Sequence, residues 1–240
     1  MVGVMLVLNI AICFGIPIGY VVITRKRGYS LKPFFIGIIT FVVSQLFLRI
    51  PIMNAVLGKS LMSFTNPILF LAILSFSAGI FEETGRRIFI GTTLKRNRSF
   101  RDGISFGVGH AGIEAIIFVG LNSLISLYGV ITANLGITGQ LTSLNVFFAT
   151  VERVFAGGLH IALTLLILYG INRKLKYTLP LAIIIHGIAN FGAVLMMPNV
   201  LLAEGWLFII FIIAVVYITK VKKKFKEDVE EKEEAVIMKY

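Results

Sequence analysis

The sequence predicts an all-α fold: a polytopic membrane helix bundle with about seven transmembrane helices. Three observations predict it. Of the 240 residues, 57% are hydrophobic and only 15% are charged, whereas soluble domains carry roughly 25% charged residues. Mean hydropathy is +0.92. Apolar stretches near the ~20 residues that a bilayer span requires recur at 2–24, 33–49, 67–94, 103–130, 146–171, 179–197 and 200–219.

The first stretch lacks a basic region ahead of it. Its bases, Arg25, Lys26 and Arg27, follow it, so it reads as a retained helix rather than a cleaved signal. Cys13 is the one cysteine. It excludes an intrachain disulfide and reads as a small packed side chain. The second and third stretches open at Pro33 and Pro67, where a missing N–H is harmless. Between them, residues 50–67 read as an outer interfacial helix or a loop. The third stretch contains FEETGRR (81–87), the fourth FGVGHAGIE (106–114) and the fifth VERVFAGGLH (151–160). The sixth starts near Pro180, holds HGIAN (186–190) and ends before Pro198. Trp206 suits an interfacial anchor on the seventh. The chain thus reads as one integral-membrane domain, 1–220, with a catalytic core at about 67–195 and a charged cytoplasmic tail, 221–240, that extends the last helix into solvent.

A net charge of +11 would suit nucleic acid, but the bases sit in short blocks at every second connection: 25–32, 95–103, 172–178 and 220–226. The alternate connections carry one lysine between them, Lys59. That pattern predicts a multi-pass protein of the cell membrane, N-terminus outside and C-terminus cytoplasmic, whose partner is the lipid bilayer and not nucleic acid. No GxGxxG, P-loop, CxxC or HExxH occurs.

Against this background FEETGRR is anomalous. A charge at the centre of a span costs about 2.5–3.5 kcal/mol, and each Leu or Ile returns about 0.3–0.6. The spacing predicts relief by the pairs Glu82–Arg86 and Glu83–Arg87, both i,i+4. Pairing explains how the helix survives, not why the charges are there, and intramembrane ionisable groups are functional candidates. The remaining polar groups are few: His110 and Glu114, then Glu152, Arg153 and His160, then His186 and Asn190. All three histidines are among them. At ~1.5 Å per residue, Glu82, Glu83, His110, Glu114, His160, His186 and Asn190 fall in one layer, roughly 10–18 Å below the basic surface. Glu152 lies nearer the opposite face, with Arg153 or a neighbouring helix as its partner. His110 with Glu114, and His186 with Asn190, share helix faces. Small residues beside them, such as Gly85, Gly109, Gly157 and Gly187, allow close helix approach.

Peptide-bond hydrolysis needs a base for water, donors for an oxyanion and an acid for the leaving amine. A carboxylate held away from bulk water, histidines and an amide can supply them. Adjacent glutamates point about 100° apart, so one of Glu82 and Glu83 can face the site while the other holds an arginine; spacing does not say which.

Glu82-Glu83-x-x-x-Arg87, Phe106-x-x-x-His110 and His186-x-x-x-Asn190 resemble the three motifs of the CPBP superfamily, which contains type II CAAX proteases and bacteriocin-processing enzymes. GHAGIEAI (109–116) and ERVFAGGLHIALTLL (152–166) are closer to its YhfC-like branch of glutamic-type intramembrane proteases. The resemblance implies that Glu82 is the base, assisted by His110, that His186 and Asn190 stabilise the oxyanion, and that Arg87 orients Glu82 and Glu83. Glu114 and His160 would support the site. It implies an endopeptidase without cofactor or metal, cutting a membrane-anchored protein or peptide near the cytoplasmic leaflet. Two alternatives stand beside it. His110, His160, His186 and Glu114 would suit catalytic zinc. A proton- or ion-coupled carrier, or a scaffold, would also use buried charges, although no internal symmetry of the carrier kind is visible.

Overall fold

The computed structural model describes residues 1–58, 60–134, 136 and 141–237, with side chains through Phe225. The main helices among the described residues are α1 (Val2–Lys26), α2 (Lys32–Leu57), α3 (Met62–Thr65), α4 (Pro67–Thr93), α5 (Phe100–Ile131), α6 (Ser143–Asn172), α7 (Thr178–Met196) and α8 (Val200–Ile237), and no strand occurs among those residues. Seven of these, all but α3, are long and apolar enough to cross a membrane. The chain is a multi-pass membrane protein.

Local sequence sets the ends. Pro33 and Pro67 occupy the first turns of α2 and α4. At the start of α5, the Ser99 hydroxyl accepts from the Asp102 amide at 3.2 Å and the Asp102 carboxylate accepts from the Ser99 amide at 2.9 Å, a reciprocal cap. Thr142 caps α6 by accepting from the Asn145 amide at 3.1 Å. The undecided segment 50–67 resolves in two parts: α2 continues to Leu57, and the short α3 precedes α4. Within α2 a π-helical stretch runs Val42–Arg49, and the Ile50 amide bonds back to the Gln45 carbonyl. Pro51 follows at once. It has no N–H to give Phe47, and its ring crowds the carbonyl of that residue; the wider turn relieves the conflict. A second π-helical stretch, Ile116–Gly120, follows Glu114 in α5.

Trp206, expected as an interfacial anchor, is half-buried. Its indole N–H donates to the Ala189 carbonyl at 3.0 Å and joins α8 to α7. The backbone of α8 continues through Ile237, as expected of the tail, but the charged side chains expected at 227–240 lie outside the described residues.

Helix α4 packs along α7, α2 along α5, and α6 against both α5 and α8. The α2–α5 crossing is backbone on backbone. A methyl on Gly109 would overlap the Phe34 carbonyl group, and one on Gly37 would come within 3.0 Å of the His110 amide while overlapping the Phe106 carbonyl. This contact fixes the position of His110. Gly109→Ala is therefore expected to lose about 1–3 kcal/mol to overpacking, more than the ~1 kcal/mol gained in helix propensity. Gly91→Ala, whose methyl meets open space, is expected to be neutral or slightly stabilising. Thermal unfolding of both variants in detergent checks the contrast.

The apolar core is concentrated at one end. Ile90, Leu94, Phe106, Leu163, Ile167 and Phe225 are all buried there, between the centre of the bundle and the basic connections.

Candidate active site

Helices α2, α4, α5, α6 and α7 converge on Glu82 and Glu83, which are 2% and 0% exposed. Adjacent on α4, the two carboxylates diverge. One Glu82 oxygen lies 2.9 Å from Nε2 of His110, and the other accepts from the amide of Gln45. His160 Nδ1 and His186 Nε2 stand 3.9 Å and 4.0 Å from the same carboxylate. Glu83 is gripped by the guanidinium of Arg86 and lies 2.8 Å from Nδ1 of His186. Glu82 thus faces the histidines, and Glu83 serves as a buried anchor that turns Nε2 of His186 toward Glu82.

The imidazoles form a contiguous group. His110 and His160 ring centres are 5.0 Å apart, and His160 and His186 are 5.3 Å apart. Phe106 stacks beneath His110 and Phe41 meets it edge-on, which explains the phenylalanine one turn before that histidine. His160 Nε2 lies 2.7 Å from Glu114 Oε2. No other group partners that oxygen among the described residues. Arg153 bonds Glu114 at 3.2 Å and also Glu152, which gives Glu152 the partner expected. Asn190, one turn beyond His186 on α7, lines the same cavity.

The expected salt bridges are rearranged. Arg86, not Arg87, holds Glu83, at i,i+3 rather than i,i+4. Arg86 also reaches Nδ1 of His160 at 3.2 Å. Arg87 makes no ion pair with either glutamate among the described residues, and its Nη1 is buried without a hydrogen-bond partner. Two contributors were missed altogether. Arg49 donates to the Gln45 side-chain oxygen at 3.0 Å, to the Ser77 hydroxyl at 3.0 Å and to the Leu74 carbonyl at 2.7 Å. With its oxygen engaged by Arg49, the Gln45 amide must offer its NH2 to Glu82. The signal for this pair was Gln45-x-x-x-Arg49, two polar residues one turn apart inside an apolar stretch.

The expected zinc set also shifts. Glu82, His110, Glu114 and His160 each offer a ligand atom, all within 4.8 Å of one another. Glu82 takes the place given to His186, whose Nδ1 is engaged by Glu83.

The cluster lies at the floor of a cavity of about 450 Å³. Its walls climb past Ser75 and Leu71 on α4, Phe148 and Asn145 on α6, Met197 beyond α7 and Glu204 on α8. That is the end of the bundle formed by the starts of α4, α6 and α8. Toward the basic connections the bundle is filled by the packed core.

The chain is similar to known membrane proteins. The family model described as "YhfC intramembrane metalloprotease" matches residues 10–217. The uncharacterized membrane protein YhfC of Bacillus subtilis (strain 168) is 32% identical over 251 residues, covering 93% of this chain and 97% of that protein. No solved structure matches significantly. The resemblance carried by GHAGIEAI and ERVFAGGLH therefore holds at the level of YhfC, under a description that names a metal where a glutamic-type enzyme was expected: the chain belongs to the YhfC intramembrane metalloprotease family.

Proposed function

We propose that this protein hydrolyses a peptide bond of a membrane-anchored protein or peptide at the Glu82 cluster. The observation that carries the reading is the gathering of Glu82, His110, Glu114 and His160 from three helices within 4.8 Å, at the floor of a cavity. His110, Glu114 and His160 suit a zinc-type divalent ion as a three-ligand set with an open position, and these residues fit one: Glu114 Oε2 is buried with only His160 Nε2 beside it, 2.7 Å away. When bound, such an ion supplies Lewis acidity to the scissile carbonyl and lowers the pKa of a water.

The chain's own groups do the rest. Glu82, fixed by Gln45 and His110, takes a proton from water. Nε2 of His186, aimed by Glu83, and the Asn190 amide face the cavity, where a carbonyl oxygen would develop charge. Arg86 and Glu83 hold this geometry out of contact with solvent.

One observation favours a second reading, in which Glu82 activates water without a metal. A guanidinium only donates. The Arg86–His160 contact therefore makes Nδ1 of His160 an acceptor and leaves the proton of a neutral ring on Nε2, where it would block a metal bond. Metal analysis and chelation separate the two. The purified protein is expected to carry about one equivalent of zinc-type metal, and chelation is expected to abolish cleavage until metal is returned. Full activity in a metal-free, chelated preparation would establish the second reading instead.

A further inference from the structure

The two ends of the bundle differ in two independent ways, and together they assign a side of the membrane to the site. The first difference is packing. From the Glu82 layer toward one end, the space between helices is filled by Ile90, Leu94, Phe106, Leu163, Ile167 and Phe225. From the same layer toward the other end, it is open: about 450 Å³ bounded by Leu71, Phe148, Met197 and Glu204. A larger cavity of about 890 Å³ does exist at the filled end, among Arg27, Arg101 and Lys222, but it shares no lining residue with the site.

The second difference is charge. The filled end carries Arg25, Lys26, Arg27 and Lys32, then Lys95, Arg96, Arg98 and Arg101, then Arg173, Lys174 and Lys176, then Lys220 and Lys222–Lys224. The connections at the open end carry Lys59 alone. Short connections rich in Lys and Arg stay in the cytoplasm. The filled end is then cytoplasmic, and the cavity opens on the opposite side.

We propose that substrate and water reach the Glu82 cluster from the extracytoplasmic side, and that the substrate is a membrane-anchored chain presenting an unwound, largely apolar segment to that face. The proposal rests on the peptidase reading for its substrate but not for its direction. Unwinding follows from hydrogen bonding: in a helix each carbonyl is engaged by the amide four residues on. An extended segment is thinner, and it presents its carbonyls free of helical hydrogen bonds. The walls it would pass are apolar at Leu71, Leu74, Phe148 and Phe155, with Glu152 and Glu204 as carboxylates near the mouth.

Single cysteines introduced into a Cys13→Ala background test the direction. Asn145→Cys sits at the exposed mouth, Ala149→Cys lies one turn deeper, and Thr219→Cys marks the filled end. Intact cells are treated with a charged, membrane-impermeant maleimide. Labelling of Asn145→Cys and Ala149→Cys in intact cells, with Thr219→Cys labelled only after lysis, is the expected result. The reverse pattern overturns the proposal. Should Ala149→Cys fail to accumulate, the exposed Asn145→Cys position still decides.

A second arm uses the purified variants and a bulky maleimide. Modified Ala149→Cys is expected to lose at least tenfold in cleavage of a model membrane peptide, and modified Thr219→Cys to keep its rate. Undiminished cleavage by fully modified Ala149→Cys overturns entry by this mouth. Absence of cleavage by every form, unmodified chain included, counts against the peptidase reading, while the labelling pattern continues to support or overturn the direction of access.

Discussion

Glu82→Gln is expected to lower peptide-bond hydrolysis by about 10²–10⁴-fold, the range over which a positioned general base contributes. Glutamine keeps the volume and the contact with Gln45 and His110, so the variant is expected to fold; thermal unfolding within a few degrees of the parent chain checks that. What it loses is the carboxylate common to both chemical readings. The metal content of the variant then divides them further. If Glu82 is a ligand, Glu82→Gln should purify with less metal as well as less activity. If Glu82 acts only on water, metal content should be unchanged while turnover collapses. Retention of full activity would remove Glu82 from the chemistry and, with it, the centre around which His110, His160 and His186 gather.

The largest expected effect on stability belongs to Arg86. Its side chain is fully buried, and it holds both oxygens of Glu83, itself fully buried. Arg86→Met leaves a carboxylate without a counter-charge in the interior, a change that costs about 3–5 kcal/mol. The double variant Arg86→Met with Glu83→Leu removes both charges and is expected to recover most of that loss, because replacing a buried ion pair with apolar groups is often close to neutral. Activity should not return with it. Nδ1 of His186 would have lost Glu83, and Nδ1 of His160 would have lost Arg86. Arg87→Met serves as the comparison, since Arg87 holds neither glutamate. Thermal unfolding and cleavage measured side by side on the four proteins test whether the ion pair is needed for the orientation of the histidines or only for folding.

The spans and the gathering of the polar groups were legible because both depend on coarse quantities. Hydropathy over ~20 residues marks a span, and a rise of ~1.5 Å per residue sets depth well enough to put Glu82, His110, His160 and His186 in one layer. Three features depended on finer quantities. Whether Glu83 takes Arg86 or Arg87 is a choice between i+3 and i+4, which a straight helix allows equally; the contact between Arg86 and His160 on another helix settles it. Gln45 reaches Glu82 from a π-helical turn, and an ideal 3.6-residue period misplaces every residue beyond such a turn. The direction of the opening depends on which half of each helix packs. Leu163 and Ile167 on one side of His160, and Phe148 and Phe155 on the other, look equally apolar in the chain, yet only the first pair is in the core.

The one-ended packing bears on what could leak through such a bundle. A cavity whose floor is the Glu82 cluster, with Ile90, Phe106 and Leu163 packed below it, is a well and not a conduit. Protons and small ions that reach the carboxylates meet the buried Arg86 guanidinium and packed apolar side chains below them, where entering unsolvated is prohibitively unfavourable. Hydrolytic chemistry can thus proceed in mid-membrane while the electrochemical gradient across it stays insulated.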